Sequence, residues 1–375
     1  GLGGAGTFSD GKLTTSLGHP WIPAVLRVLV ECGAPADIEI DARPHVGTDV
    51  LGGVVTRLVS RIEAAGGAVR TSVRVDGVGL SGGRVDSLET PGGRVEARVV
   101  VLAIGHSARD MWTMLARTGI GLEAKPFQMG IRVEHPQAWL DRTQYRSAAG
   151  HPALGAADYR LATRVRGVPV FSFCMCPGGE TMPTVNEAGH LALNGMSRSV
   201  RDSAFASSGL VVTLEPDVYG GRDLASCLAF QRAVEAACFA AGGRDYTAPA
   251  ERLADFAAGR DPGTRLPVSS YPLGVRAARL HEILPPFVAG PLRAALPSFD
   301  RSLPGYLHKD ALALAPESRA SSPIRIVRDA ATGGAPGASG LYPVGEGAGH
   351  AGGIMSSALD GLNAARRIIE RFGPP

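Results

Sequence analysis

The chain has 375 residues, of which 45% are hydrophobic and 19% are charged, and its formal net charge is +3. A chain of this length can bury a large core and is expected to form about two domains. The small net charge, without a basic stripe interleaved with aromatic residues, gives no electrostatic case for nucleic-acid binding.

The chain opens on GLGGAGTFSDGKL, in which Gly1, Gly3 and Gly6 satisfy the dinucleotide-binding pattern G-x-G-x-x-G. That pattern binds a pyrophosphate when a strand precedes it and a helix follows it, because the helix N-terminal amides then face the phosphate. Here turn-forming residues follow the glycines, and the first predicted helix begins only near Pro23, in PAVLRVLVECG. By itself, the motif is a weak indication of a nucleotide site.

The next segments predict an α/β region. GTDVLGGVVTRLVSRIEAAGG has helical spacing, AVRTSVRVDGVGL alternates like a strand, and GGRVDSLETPGGRVEA is typical of a hairpin. The apolar side of this helix is predicted to hold Val50, Val54, Val55, Leu58 and Ile62. In ARVVVLAIGHSA, the apolar run at residues 99–102 is typical of a central parallel strand covered on both faces. It ends at Gly105, where backbone can approach a ligand.

From about residue 113 to 324 the pattern is less regular. Proline and short strand-like segments dominate, among them FQMGIRVEHP and VPVFSFCMCPGG, with one clear helix in DLASCLAFQRAVEAACFAAGG. The C-terminal GLYPVGEGAGHAGGIMSSALDGLNAARRIIERFG returns to a strand, a glycine loop and a long helix. The apolar stripe of this last helix is predicted to hold Ile354, Ala358, Leu362, Ala365 and Ile369.

A second G-x-G-x-x-G, at residues 347–352, lies between that strand and that helix. No later strand carries a ribose-binding carboxylate, so the motif is not the first half of a βαβ unit. The loop can instead present a carboxylate and unsatisfied helix amides to the carbonyl edge of a flavin held elsewhere. The groups in question are Glu346 and the amides of Gly353, Ile354 and Met355. A glycine-rich loop shaped by packing alone is the alternative.

Five segments in this order, GGAGTFSDGKLTT, VVLAIGHSARD, FSFCMCPGGE, NGMSRSVRDS and LYPVGEGAGHAGGIMSSALDG, resemble the family of large uncharacterised FAD-dependent dehydrogenases. This family belongs to the glutathione-reductase-like flavoproteins, and the resemblance covers essentially the whole chain. It implies a three-layer α/β FAD-binding domain, residues 1–112 and 325–375, with an inserted α+β substrate domain, residues 113–324. The ADP-binding βαβ unit of the family would lie upstream, which leaves the FAD-binding domain incomplete at its N-terminus.

The resemblance also implies cofactor contacts. The opening loop would line the flavin, Val75 would hold the adenine through its backbone, a strand end would touch the nucleotide, and Glu346 would bind the ribityl chain. The residues that match the cofactor site are Gly3, Gly4, Gly6, Thr7, Ser9, Lys12, Val75, Ala103, Ile104, Gly105, Gly345, Glu346, Gly353, Ile354 and Met355. The implied activity is hydride transfer between FAD and a small-molecule substrate, with NAD(P)H as a candidate electron donor and no metal.

Few residues are candidates for contacting the substrate. Arg319, in ESRASSP, can clamp a carboxylate through its fork of donors, or it can staple a loop. In MGIRVEHP, alternation puts Arg132 and Glu134 on one face and Val133 and His135 on the other, and a surface ion pair is favoured here over a functional role. His106 can face the cofactor or cap a turn, and the turn is favoured.

The CMC sequence is the remaining chemical feature. On an extended strand, Cys174 and Cys176 would share one face, and residues 177–179 would end the strand in a turn. A thiol beside a flavin can relay electrons or attack a substrate, whereas free cysteine is often only a small buried apolar residue. We predict that Cys176, nearest the turn, lines the active cavity and is alkylated before Cys174, for which burial is favoured.

Compartment is inferred from absences in the sequence. No apolar run approaches the ~18 residues that span a membrane, and no signal peptide is evident. The five cysteines are odd in number and lack paired zinc-like spacing, which fits a reducing compartment. A cytoplasmic protein with no nucleic-acid partner and no membrane span is expected, its oligomeric state left open. The alternative function is a truncated, cofactor-free fragment or a non-catalytic scaffold of the same fold.

Overall fold

A seven-stranded mixed sheet, with smaller sheets beside it, dominates the computed structural model, which describes residues 4–7 and 9–373. The described helices are α1 (Gly4–Thr7), α2 (Ile22–Glu31), α3 (Thr48–Ala64), α4 (Arg109–Arg117), α5 (Gln137–Tyr145), α6 (Pro216–Tyr219), α7 (Leu224–Gly242), α8 (Leu253–Ala258), α9 (Leu280–Ile283), α10 (Pro286–Ser302) and α11 (Ile354–Phe372). The described strands are β1 (Gly77–Ser81), β2 (Arg84–Thr90), β3 (Gly93–Glu96), β4 (Val100–Leu102), β5 (Leu122–Ala124), β6 (Phe127–Pro136), β7 (Ala162–Val165), β8 (Val168–Cys176), β9 (Gly179–Pro183), β10 (Leu193–Ser197), β11 (Phe205–Leu214), β12 (Ala248–Arg252), β13 (Val275–Ala277), β14 (Leu312–Glu317), β15 (Ile324–Ile326) and β16 (Leu341–Pro343).

The large sheet has the strand order β13-β12-β14-β6-β11-β8-β7 and is antiparallel except between β12 and β13. Its central strands β6, β11 and β14 are buried along almost their whole length, because helices and loops cover both faces. The strands predicted in FQMGIRVEHP and VPVFSFCMCPGG are therefore confirmed. The middle of the chain is more regular than its sequence predicts. Most of these strand pairings join segments far apart in sequence, so local patterns do not reveal them.

Helix α7 packs against this sheet, and local chemistry sets both of its ends. Asp223 accepts from the Ser226 amide while the Ser226 hydroxyl accepts from the Asp223 amide, which closes a capping box. At the other end, Gly243 ends the helix with φ of 111°. Among the described residues, α7 is the one helix long and apolar enough to span a membrane, although the sequence predicts no such run. Its buried Gln231 and Glu235 bond to other parts of the fold, as in a core helix.

Two smaller clusters flank the large core. In one, β4 pairs with β16 in parallel and packs with α4 beside the meander β1-β2-β3. In the other, α2 and α3 pack on the first turns of α11, where Leu13, Leu51 and Met355 are buried together. The second cluster brings the two ends of the described chain side by side. The proposed domain boundaries at residues 112 and 324 stay a prediction.

Four local predictions differ from the structure. Of AVRTSVRVDGVGL, only residues 77–80 lie in a strand, β1, while residues 68–74 pair with no described strand and are exposed. Strand β4 is parallel as predicted, but β16 is its one described partner and Val101 is 45% exposed, so it is not covered on both faces. The buried face of α11 is formed by Met355, Leu359 and Ala364, while the predicted Leu362 and Ile369 are exposed. Likewise, Ile62 of α3 is exposed.

Candidate functional site

The carboxyl ends of β4 and β16 meet at one edge of the fold, since Leu102 pairs with Pro343 in a parallel register. The loops that follow, residues 103–106 and 344–347, pack closely. A Cβ on Gly347 would lie 2.4 Å from the Gly105 carbonyl oxygen, so a side chain there would displace backbone. We call these two loops and the first turn of α11 the strand-end site. Ligands in α/β folds bind at such strand ends.

The N-terminus of α11 completes the strand-end site. Gly353 is extended and precedes the helix, so the first-turn amides at Ile354 and Met355 cannot be bonded within it. Asp360, one turn and a half further on, anchors the glycine loop, because its Oδ2 accepts from the Gly345 amide at 2.8 Å. Arg328 holds that carboxylate from the other side, with Nη1 2.9 Å from Oδ1. The glycine loop at Gly345 is therefore anchored to α11, beside the free amides of the first turn of that helix.

His106 and Glu346 face each other across the strand-end site, with Nδ1 3.5 Å from Oε1. His106 is 9% exposed, and beyond this contact of Nδ1 with Glu346 neither ring nitrogen has a hydrogen-bond partner within the described part of the chain. The favoured interpretation of His106 as a turn cap is therefore wrong. Buried polar nitrogens without partners are costly unless a ligand or water supplies them, so this position fits the polar part of a bound group.

The opening segment connects this region to a second one. Gly4, Gly6 and Thr7 lie in the one-turn helix α1, where the Thr48 hydroxyl donates to the Thr7 carbonyl at 2.7 Å. This turn of helix is missed by the sequence prediction. Ser9 Oγ accepts from the Gly11 amide at 3.2 Å. Gly3 lies outside the described residues.

Lys12 reaches a buried group of ionic and thiol side chains. Its Nζ lies 2.7 Å from Asp10 Oδ2 and 3.6 Å from Cys176 Sγ. Asp10, which is 1% exposed, also accepts a hydrogen bond from the Ser197 hydroxyl. We define the thiol cluster by six residues that lie together, which are Asp10, Lys12, Arg132, Cys174, Cys176 and Glu317. Leu13, next to Lys12, and Met355, in the first turn of α11, belong to one apolar cluster.

Arg132 is the centre of the thiol cluster and is fully buried. Its Nη1 donates to Glu317 Oε2 at 2.7 Å, its Nη2 donates to the Cys174 carbonyl at 2.7 Å, and Nη2 also lies 3.7 Å from Cys176 Sγ. Gly195 makes room for it, because a Cβ there would meet Arg132 Nη2 at 1.9 Å. The predicted surface ion pair of Arg132 with Glu134 is therefore wrong, since both are buried and Arg132 pairs with Glu317 from β14.

A β-bulge shapes the CMC sequence. The β8–β11 register shifts between Ser207 and Gly209, and Cys174 adopts a positive φ of 43° within the strand. Non-glycine residues rarely hold this conformation, and here the hydrogen bond from Arg132 to the Cys174 carbonyl fixes it. The two sulfur atoms come within 4.0 Å of each other. Cys176 is fully buried and Cys174 is partly exposed, which reverses the predicted order of access.

The electrostatics of the thiol cluster favour one thiolate. The pKa of Cys174 is lowered to about 5, first by the hydrogen bond from the Cys176 thiol and then by the charges of Lys12 and Arg132. The pKa of Cys176 is raised well above the ordinary value by its hydrogen bond with Cys174 and by burial. These values belong to the coupled pair, which loses one proton readily and the second with difficulty. Other titratable and charged groups also surround the pair. They are the carboxylates of Asp10 and Glu317, together with His45 and Arg201 beside Asp10.

Arg319 occupies a different network. Its Nε and Nη2 lie 3.0 and 3.1 Å from the two oxygens of the buried Glu235, which also binds Arg109. Nη1 donates to the Ser107 hydroxyl at 3.2 Å. These contacts tie the loop before β15 to α4 and α7, so they favour the stapling role over a free substrate clamp.

His135 is also buried, stacked on Trp139 at 4.7 Å between ring centroids, with Nε2 2.7 Å from the Tyr306 carbonyl oxygen.

The structure separates the predicted site residues into groups. Ala103, Ile104, Gly105, Gly345, Glu346, Gly353, Ile354 and Met355 meet at the strand-end site. Lys12 and Cys176 meet at the thiol cluster, while Val75 is partly buried against the β4–β16 core. Sequence reasoning missed Asp10 and Glu317 as site residues. FSDGK offered a signal for Asp10, but nothing local links Glu317 to Arg132, 185 residues away.

Two comparisons relate the chain to known proteins. A family described as "FAD-dependent protein, C-terminal domain-like" matches residues 126–320, the region that contains the large sheet and most of the thiol cluster. A protein of Clostridium beijerinckii, described only as uncharacterized, is 41% identical over 379 residues. That similarity covers 100% of this chain and 71% of the relative.

Proposed function

Because the chain belongs to this family of FAD-dependent proteins, we propose that it works as a dehydrogenase that transfers a hydride between FAD and a small-molecule substrate. FAD would supply the two-electron chemistry, as it does in flavoenzymes generally. The proposal extends to a glutathione-reductase-like FAD fold, to NAD(P)H as electron donor and to a cytoplasmic location. No nucleic acid and no membrane span are part of it.

The residues of the strand-end site fit a flavin nucleotide. Gly105 and Gly347 let backbone approach a ligand, and Glu346, which is 32% exposed, offers a carboxylate to ribityl hydroxyls. The amides of Ile354 and Met355 suit an electron-rich carbonyl edge. The unpartnered nitrogens of buried His106 are a further polar contact that sequence reasoning did not favour.

One observation carries the proposal. The opening segment that would line the flavin runs from α1 through Lys12 into the buried thiol cluster, so a redox cofactor and a reactive thiol pair would share one segment. Lys12 and Arg132 would hold anionic groups there, and burial of Cys176 and Arg132 would exclude water. Cys176 stays the proposed catalytic thiol, while Arg319 is proposed as a positioning residue for α4 and α7.

The test is the FAD content of the protein produced with any residues that precede Gly1 in its natural sequence. Purified protein is expected to be yellow, and heat denaturation is expected to release FAD identified by chromatography. A colourless protein that binds no added FAD would contradict the proposal and favour the scaffold alternative. Flavin reduction under anaerobic NADH and NADPH, followed by its absorbance, then tests the electron donor separately.

A further inference from the structure

We propose that Cys174 and Cys176 are a redox-active pair, which cycles between a dithiol and an intramolecular disulfide, with Cys174 as the thiol that external reagents reach. The pair lies in the thiol cluster and has three supporting features. The sulfurs are close, cations surround them, and only one of them is accessible.

The distance between the sulfurs depends on the bulge. In a regular strand, residues two apart are separated by roughly 6.5 to 7 Å along the chain, which is too far for easy disulfide formation. The positive φ of Cys174 and the shifted register turn the backbone, and the sulfurs lie 4.0 Å apart. Side-chain rotation has to close the remaining ~2 Å to a disulfide bond length. A strained backbone held at one residue is a recurring feature of functional sites.

The surrounding charges favour a nucleophilic thiolate. Lys12 Nζ and Arg132 Nη2 lie 3.6 and 3.7 Å from Cys176 Sγ. These cations stabilise the single thiolate of the pair, which is Cys174, because they lower the pKa of Cys174 while the pKa of Cys176 stays raised. Buried Cys238 provides a contrast, because burial and Glu235 raise its pKa. The CMC thiols are therefore set apart from a merely buried cysteine by their charge environment.

The proposed step balances as follows. When the S–S bond forms, the pair loses two electrons and its remaining thiol proton, because one thiol is already ionised. The electrons pass to an acceptor, which is oxidised FAD if the proposed function holds, and this assignment of the acceptor rests on that function. Disulfide formation between the two thiols does not depend on that function. With diamide as the oxidant, the azo bond takes two electrons and two protons, one from the pair and one from water, and becomes a hydrazine.

Mass spectrometry of the full chain tests the proposal. Protein freed of flavin is treated with diamide, denatured in iodoacetamide and digested. The peptide containing residues 174–176 is expected to be unalkylated and two hydrogen masses lighter than its dithiol form, and dithiothreitol is expected to restore two alkylation sites. Cys174→Ser and Cys176→Ser should each abolish the mass loss, while Cys238→Ser should leave it intact.

Two results would overturn the proposal. One is full alkylation of both thiols after diamide, and the other is an equal oxidation of Cys227 or Cys238. Because Cys176→Ser sits in a packed site, Lys12→Met is a second variant, expected to slow native disulfide formation on the order of tenfold at a temperature where thermal unfolding shows the variant to be folded. An unchanged rate in that variant would also contradict the proposal. If the protein forms the disulfide but never binds FAD, the proposed function is wrong and the proposal of a redox-active thiol pair is supported.

Discussion

Lys12 Nζ lies 3.6 Å from Cys176 Sγ, although 164 residues separate them in the chain. Lys12 follows the glycine-rich opening segment, and Cys176 ends a strand of the large sheet. This contact joins the segment proposed to line the flavin to the thiol cluster. The opening segment and the thiol cluster are therefore adjacent in the fold.

The first prediction concerns the pH dependence of Cys174. Its pKa, lowered to about 5, implies that iodoacetamide reacts with it at a nearly constant rate from pH 8 to 6 and slows as the pH falls through 5. Lys12→Met removes a cation, so the pKa should rise and the rate at pH 6 should fall on the order of tenfold. Exposed Lys309→Met is the control. Alkylation of Cys176 before Cys174 in native protein would contradict the geometry.

The second prediction concerns Glu346. In protein that binds FAD, Glu346→Ala should weaken retention of the flavin by about 1.5 to 3 kcal/mol, the usual contribution of a hydrogen bond to a charged group. Equilibrium dialysis with FAD measures this directly. Glu370→Ala removes a carboxylate of the same type, whose ion-pair partner among the described residues is exposed Arg366, and this variant should bind FAD like the parent protein. Equal affinities in all three proteins would return Glu346 to a structural role.

The third prediction uses two glycines. Gly347→Ala places a Cβ 2.4 Å from the Gly105 carbonyl oxygen, so the loops must move apart, at a cost of roughly 1 to 3 kcal/mol in the free energy of unfolding. Flavin binding should fall with it. Gly361→Ala, inside α11 with nothing within 4 Å, should instead stabilise the protein by roughly 0.5 to 1 kcal/mol. Urea unfolding of both variants decides, and a Gly347→Ala protein of parental stability would show that the loops are not tightly packed.

The fourth prediction concerns Glu317 and Arg132. Glu317→Gln leaves a buried guanidinium without its carboxylate, and breaking a buried pair on one side costs about 3 to 5 kcal/mol. Glu123→Gln breaks an exposed pair with Arg325 and should cost no more than about 1 kcal/mol. The free energy of unfolding in urea measures both. If both variants lose the same free energy of unfolding, the buried pair contributes no more to stability than the exposed one.

The fifth prediction is a pH effect on stability. Burial lowers the pKa of His135 from 6.5 to about 4, so the folded state keeps it neutral. Between these pH values the unfolded chain binds more protons, and stability present above pH 6.5 is lost as the pH falls towards 4. His135→Gln removes this pH-dependent contribution. The difference in the free energy of unfolding between parent and variant should therefore narrow by about 2 kcal/mol from pH 7 to 5. His151→Gln, at an exposed site, should show no narrowing, and a constant gap for His135→Gln would disprove the assignment.

Several elements could be predicted from the sequence because their signals are local. Helix α2 contains Pro23 in its first turn, α3 and α7 end near glycines, and the hairpin of β2 and β3 turns within two residues. Spacing, capping and turn chemistry act over fewer than about 20 residues, so they are legible without a fold. The strand, glycine loop and helix at the C-terminal end belong to the same class.

Tertiary structure alone decided the partners and the exposed faces. Nothing near Arg132 indicates that it binds Glu317 instead of Glu134, and the spacing of Cys174 and Cys176 does not reveal a bulge. The buried face of α11 is likewise set by its neighbours, since Met355 and Leu359 pack in the cluster with α2 and α3 while Leu362 and Ile369 are exposed. Long-range pairing depends on which strands become neighbours, and that is set by the packing of the whole core rather than by any short segment.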